Sequence, residues 1–319
     1  MIDFAIWAGV LVLALFALVR GADLFMVAAE ALGLAYGLSP FLIGVTIVAM
    51  GTSLPELMSG IAAVWSGASE IAAGTAIGSN VTNILLVLSS AALIGGGLRV
   101  DYELVRVDLP FLFGSALLMT LFASDGVVGL GEALLGLAAL TVYLIYAAGE
   151  PERPQTTVSA AAAEFQGPES SVAVRVWVSL VFGAAVVQLG ASFTVQSVIR
   201  LSEIVGFGNE ILAASVIALA TSLPELSVTI RSARAGKPEL AVGNVIGSNI
   251  FNALGVIGGA ALFGPVLVPE PLLRFGLPSM LAATVLCFFV LQEREMTHWD
   301  GWLLLILYVA YTTHLYGVI

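Results

Sequence analysis

Apolar runs of roughly 20 residues, each long enough to cross a hydrocarbon layer of ~30 Å, follow one another along the whole chain. Gly, Pro and charged residues break them up, and no stretch is left between them that would form a soluble domain. A backbone surrounded by lipid must satisfy its own hydrogen bonds, so a chain of this kind folds as a helix bundle. Composition agrees, since 59% of the 319 residues are hydrophobic and 10% are charged, far from the shares of a soluble domain. The spacing predicts ten spanning helices, at 3 to 34, 40 to 67, 70 to 97, 106 to 123, 127 to 148, 173 to 204, 209 to 234, 238 to 263, 272 to 292 and 299 to 317. The first lacks a basic leader and a small-residue cleavage site, so it reads as a retained helix and not a signal peptide. A net charge of -11 argues against nucleic acid as a partner. The single cysteine, Cys287, excludes an intramolecular disulfide and a Cys-based metal site, and reads as a small core residue.

Between the fifth and sixth predicted helices lies GEPERPQTTVSAAAAEFQGPESS, the one long polar segment, rich in Pro and Ala. It reads as a linker, dividing the chain into a first unit at 1–149, a linker at 150–172 and a second unit at 173–319. The two units repeat one another at a fixed offset of 169 residues. Thr52 to Leu57 matches Thr221 to Leu226, Gly78-Ser79-Asn80 matches Gly247-Ser248-Asn249, and Asn83 matches Asn252. The register holds outward through Gly21 and Gly190, Gly37 and Gly206, and Glu70 and Glu239. Each unit carries five spans, an odd number, so the second enters the membrane in the opposite sense: the expected fold is an all-α integral membrane protein built as a 5+5 inverted repeat. With the N-terminus outside, the inner loops collect Arg99, Arg106, Arg153, Arg175, Arg231, Arg234, Lys237 and Arg294, and the outer side only Arg200 and Arg274. That distribution places both termini outside and the linker in the cytoplasm.

The repeated motif carries chemistry. On a helix, Thr52 and Ser53 fall on the same side as Glu56, four and three residues away. Pro55 has no N–H, so the carbonyl of Gly51, like that of Ala220 ahead of Pro224, loses its helical donor. Freed carbonyls beside a carboxylate and two hydroxyls are hard oxygen ligands of the kind that suits Na+ and Ca2+. Ser79 with Asn83, and Ser248 with Asn252, form a second ligand strip four residues apart. Gly74 and Gly78, with Gly243 and Gly247, would let the helix backbones approach closely. An ionised carboxylate at mid-bilayer costs at least ~2.5 kcal/mol, which a purely structural helix has no reason to bear, so Glu56 and Glu225 mark a site.

GTSLPEL and GTAIGSNVTN, repeated as ATSLPELSVTI and GNVIGSNIFN, resemble the paired alpha repeats of the calcium/cation antiporter superfamily, closest to the sodium/calcium exchangers. The resemblance covers essentially the whole chain. It implies a secondary antiporter that moves Ca2+ against Na+ by alternating access, with Glu56 and Glu225 as central ligands shared by both ions. Thr52, Ser53, Thr221, Ser222, Ser79, Ser248, Asn83 and Asn252, with the carbonyls of Ala49 and Ala218, complete the implied sites. It also implies that the long first and sixth helices slide against the other eight, and that three Na+ exchange for one Ca2+. Two positions depart from the pattern: Thr75 stands where Asn is usual, as Asn244 does in the second half, and Asn252 stands where some relatives carry Asp.

The expected partners are therefore Ca2+, Na+ and the bilayer of the cell (inner or plasma) membrane, with no organic cofactor, no enzymatic activity and a monomeric transport unit. With no third carboxylate, no K+ requirement is expected and only modest pH sensitivity above about pH 6. The sibling readings are a proton/calcium exchanger and a K+-dependent sodium/calcium exchanger. A channel would need a continuous pore, and an intramembrane enzyme a nucleophile with its base; no His lies near the motifs. His298 and His314 read as surface or packing residues, Arg20 and Asp23 as a pair on the first helix, and Glu70 and Glu239 as helix-start residues favoured by the helix dipole. Glu150, Glu152, Glu164 and Glu169 read as solvated linker.

Overall fold

The computed structural model describes residues 2–149, 169–205 and 222–315. Ten helical segments run through them: α1 Ile2–Ala35, α2 Pro40–Trp65, α3 Glu70–Gly95, α4 Asp108–Phe122, α5 Leu130–Gly149, α6 Glu169–Val205, α7 Leu223–Arg234, α8 Pro238–Ala261, α9 Leu272–Leu291 and α10 His298–Leu315. Seven are long and apolar enough to cross a membrane; α4, at 15 residues, is apolar but shorter. Most of the linker, and the stretch before Ser222 that includes Ala218 and Thr221, lie outside the described residues.

Burial sorts the helices. The apolar stretch of α8 is buried on every side, and most of that of α3 is, whereas α1, α5, α6 and α9 bury about a third of theirs and leave the rest to lipid. α8 packs against α2, α3 and α7, so these four make the centre. The apolar core divides in two. One cluster joins α3, α4, α5, α8 and α9, and a second gathers along α1 and α6, with Ile43, Val48, Val228 and Leu240 at its edge. Small residues allow α1 and α6 to cross closely: a Cβ on Gly21 would stand 2.8 Å from the Val187 backbone, and one on Gly190 2.7 Å from that of Leu18. Those two contacts are equivalent under the 169-residue offset.

Two short antiparallel strand pairs close the ends of the bundle. β1 (Leu98–Arg99) pairs with β4 (Glu295–Met296), and β2 (Val127–Val128) pairs with β3 (Val266–Leu267). The partners Leu98↔Met296 and Leu267↔Val127 are again equivalents at the same offset. Residues 127 and 128, expected as the start of the fifth helix, belong to β2 instead, because this loop pairs with the one after α8.

Three central stretches widen from α to π winding: Gly44–Val48 in α2, Asn83–Leu88 in α3 and Phe251–Val256 in α8. The last two nearly coincide at the repeat offset. Pro55 leaves α2 helical throughout, and the irregular turn comes earlier, at Gly44–Val48. In the second half, Pro224 sits in the first turn of α7 and Ser222 is its N-cap. The expected pairing of Arg20 with Asp23 does not occur. Asp23 is ion-paired across the bundle with Arg231, and Arg20 lies over the Phe16 ring at 5.3 Å.

Candidate functional site

The motif residues lie on α2, α3, α7 and α8, the four helices packed at the centre. Glu56 and Glu225 are 3% and 1% exposed, and they lie close enough to feel one another's charge. Two such groups are held in a helix bundle only if something else compensates them. The protein supplies little of that. Among the described residues neither carboxylate oxygen of Glu56 has a hydrogen-bond partner, and the same holds for Glu225 Oε2. Glu225 Oε1 accepts from Ser53 Oγ at 3.2 Å.

Neutral oxygens surround the two acids. Thr52 Oγ1 lies 3.2 Å from the Ala49 carbonyl, 3.4 Å from Asn244 Oδ1 and 3.5 Å from Ser248 Oγ. Ala49 directly follows the π turn of α2, which sets its carbonyl at the step between two helical windings. Asn83 opens the π turn of α3 and Asn252 lies inside that of α8. Both amides are fully buried, with neither oxygen nor nitrogen bonded to any described residue. Ser222 Oγ, at the start of α7, is likewise buried without a partner. Ser79 is buried on the same helix as Asn83. Of the twelve residues expected from the sequence, Ala49, Thr52, Ser53, Glu56, Ser79, Asn83, Ser222, Glu225, Ser248 and Asn252 are buried on these four helices, with contacts linking Thr52 to Ala49 and Ser248 and Ser53 to Glu225; Ala218 and Thr221 lie outside the described residues.

Buried polar groups are nearly always hydrogen-bonded, so a cluster of orphaned carboxylate, amide and hydroxyl oxygens asks for a cation. Among the described residues no three His, Cys, Asp or Glu gather as a soft-metal site would require. Two carboxylates and neutral oxygens buried on the same four helices are a donor set that suits Na+ or one Ca2+.

Glycine sets the spacing in the second half. A Cβ on Gly247 would come 2.7 Å from the Ala49 Cβ, and Gly243 presses as closely on the Phe41 carbonyl in α2. Gly74 and Gly78 make no comparably close contact with any described atom.

The family profile described as sodium/calcium exchanger protein matches residues 6–149 and 175–317, nearly all of both halves. The chain belongs to the sodium/calcium exchanger family. Within that family it is 31% identical to sodium/calcium exchanger MaX1 of Methanosarcina acetivorans, over 97% of this chain and 98% of the relative. It is 32% identical to inner membrane protein YrbG of Escherichia coli, over 80% of this chain and 79% of that one. Its fold superposes on the sodium-calcium exchanger NCX_Mj, soaked with zero Na+ and Ca2+, with a TM-score of 0.81 and 26% identity, covering 97% and 98% of the two chains.

Several polar residues at the centre escaped the sequence reading. Asn244 was noted only as a departure between halves, yet it contacts Thr52, and its Nδ2 donates to Thr229 Oγ1 at 2.8 Å. Asn80 donates to Met280 Sδ at 3.5 Å, and its equivalent Asn249 is buried with both amide atoms unbonded. The repeat GSN had flagged both positions. Residues first set aside fall where packing explains them: His314 lies 4.4 Å from the Phe275 ring, and His298 is 4.7 Å from Trp299. Glu239 stands in the first turn of α8 and also accepts from the Asp101 backbone N–H at 3.2 Å, tying that helix to the loop after β1.

Proposed function

We propose that Glu56 and Glu225, with Thr52, Ser53, Ser79, Asn83, Thr221, Ser222, Ser248, Asn252 and the carbonyls of Ala49 and Ala218, form the cage in which this exchanger binds Na+ and Ca2+ alternately. The observation that carries it is the orphaned state of the Glu56 carboxylate: a buried acid with no donor among the described residues is paired when a cation arrives. Two carboxylates neutralise one Ca2+, whereas three Na+ leave one positive charge. The ions therefore compete for one place, and a 3:1 cycle moves net charge.

The proposed architecture is five helices and five inverted, with 1–149 and 173–319 as the two units, the intervening linker cytoplasmic, both termini outside and one chain as the transport unit. Three pairs of equivalent features support the inversion: the strand partners at opposite loops, the π turns at Asn83 and Phe251, and the reciprocal glycine contacts of α1 and α6. In this arrangement α1 and α6, with an apolar cluster of their own, slide as a unit past the central four helices. The deciding experiment is 45Ca2+ uptake into proteoliposomes under imposed Na+, K+ or H+ gradients. Uptake driven by Na+ alone is expected. A requirement for K+, or equal uptake on a proton gradient without Na+, overturns the sodium/calcium assignment for this site.

A further inference from the structure

The proposed ligands leave one central hydrogen bond unexplained. Thr229, on α7, is fully buried and lies outside the ligand set, yet it takes the Asn244 amide hydrogen at 2.8 Å. We infer that Thr229 is a positioning residue for cation binding: it fixes which end of the Asn244 amide meets Thr52.

The reasoning turns on one proton. A hydroxyl offers a lone pair to a cation only if its own hydrogen has somewhere else to go. Thr52 Oγ1 has the Ala49 carbonyl at 3.2 Å and Asn244 Oδ1 at 3.4 Å. With Nδ2 committed to Thr229, Asn244 presents its oxygen to Thr52 as an acceptor beside the nearer Ala49 carbonyl, and an ion on that carbonyl turns the proton to Asn244. Both the Thr52 lone pairs and the Ala49 carbonyl are then available to an ion. If the amide turned over, its N–H2 would donate to Thr52, and Thr52 would donate to Ala49. Two oxygens would each lose one of their two lone pairs to the protein and bind an ion more weakly.

The chain contains its own comparison. At the repeat offset, Asn244 corresponds to Thr75 and Thr229 to Gly60, so the half without the amide also lacks the hydroxyl that would orient it. The three described atoms nearest a Cβ at Gly60 would be side-chain carbons of Ala72, Ala260 and Val256. The amide and its anchor are present together in one half and absent together from the other.

The consequence falls more on Na+ than on Ca2+. A dication draws most of its binding from the two carboxylates, whereas a monovalent ion leans on neutral oxygens and loses proportionally more when two are weakened. The inference rests on the ligand set proposed above. Its test is Na+-driven 45Ca2+ flux in proteoliposomes, with the Na+ half-saturation and the maximal rate measured separately, and with Ca2+/Ca2+ self-exchange beside them. Thr229→Val keeps the shape and removes the acceptor. It is expected to raise the Na+ half-saturation about 3- to 10-fold while self-exchange stays within about 2-fold, and Thr229→Ser is expected to restore wild-type Na+ dependence. Should the valine variant fail to fold, Thr229→Ala decides by the same measure. An unchanged Na+ half-saturation, or a serine variant as impaired as the valine one, overturns the assignment. Glu56→Gln in the same vesicles keeps the two levels apart: if it abolishes flux while Thr229→Val leaves Na+ dependence untouched, the Thr229 role falls and the ligand set stands.

Discussion

Gly247→Ala tests whether the close crossing of α2 and α8 builds the site. A Cβ there would stand 2.7 Å from the Ala49 Cβ, against the 3.4 Å at which ordinary contact begins, and would also run into the Val45 carbonyl. Much of what it meets is backbone, so no side chain can swing away: the helices must part by about 0.7 Å or more. Overpacking of this kind costs about 1–3 kcal/mol, and a backbone collision belongs at the upper end. Ala gains about 1 kcal/mol over Gly in helix propensity, which leaves a net loss of about 2 kcal/mol, or roughly 3 °C in melting temperature for a chain of this length. The same shift carries the Ala49 carbonyl and Thr52 away from Ser248. Because a 1 Å misplacement in a reactive site costs about 100-fold, Na+-driven Ca2+ flux is expected to fall about tenfold or more. Thermal unfolding of the purified protein and flux in vesicles measure the two effects. Gly114→Ala is the control, since a Cβ at that position meets no described atom within 4 Å, and it is expected to be neutral or slightly stabilising. A Gly247→Ala protein as stable as wild type, with full flux, refutes the claim that this contact holds the cage in shape.

Glu56→Gln and Glu225→Gln should each abolish Ca2+ transport in folded protein, with Ca2+ affinity falling about 10²- to 10⁴-fold, as removing one partner of a buried charge pair does; isothermal titration with Ca2+ in detergent checks this, and near-normal binding in either removes that residue from the site. An inside-positive potential should favour Ca2+ uptake into Na+-loaded vesicles, because a 3:1 exchange carries one positive charge outward per cycle. Each 100 mV is worth about 2.3 kcal/mol, so the accumulation ratio should move about 50-fold, and indifference to voltage would rule out the charge-moving stoichiometry. For the ion pair between Glu30 and Lys237, Lys237→Glu should shift the apparent Na+ affinity measured from one side of the membrane relative to the other, and the exchanged pair Glu30→Lys with Lys237→Glu should bring it back; failure of the double variant to recover would deny the pair a role in the conformational balance.

The helices were legible because each apolar run reports its own surroundings, whatever the rest of the chain does. The acids were legible because a motif repeated in register at one offset is hard to explain by hydrophobicity. That same criterion hid Thr229 and gave Asn244 no role. A search for identity between halves passes over residues that matter because the halves differ, and only the contact with Thr52 brings them into view. The π turns left no signature either. Asn83–Leu88 reads as an ordinary apolar helix, and its wider winding reflects how α3 lies among its neighbours. Asp23 seemed to have a partner three residues away in Arg20; the cation it finds, Arg231, is remote in sequence and adjacent only once α1 lies beside α7. Strands of two residues are set by which loops meet, which local preference does not encode.

The departures from symmetry bear on how the exchanger is biased. Under the proposed inversion, identical halves would make the inward- and outward-facing states mirror one another and give them equal energy. Asp23 with Arg231 and Glu30 with Lys237 break that equality, since their counterparts at the repeat offset are Ser192, Ala62, Ile199 and Ala68, which form no ion pair. Both ion pairs tie α1 to α7 or to the turn after it, on the side where the sequence places the basic loops. The two are not equal in weight. Asp23 and Arg231 are 28% and 44% exposed, so water screens them and the pair is worth about 1 kcal/mol or less. Glu30 and Lys237 are 10% and 20% exposed, and separating them leaves charges poorly solvated beside the bundle. Under the sliding proposed above, α1 must break both pairs, whereas the corresponding positions of α6, Ser192 and Ile199, carry no charge. The end state in which they are intact is therefore favoured, and a preference of 1.4 kcal/mol is already tenfold in population. The repeat lets the protein alternate; the residues that depart from it set which way it rests.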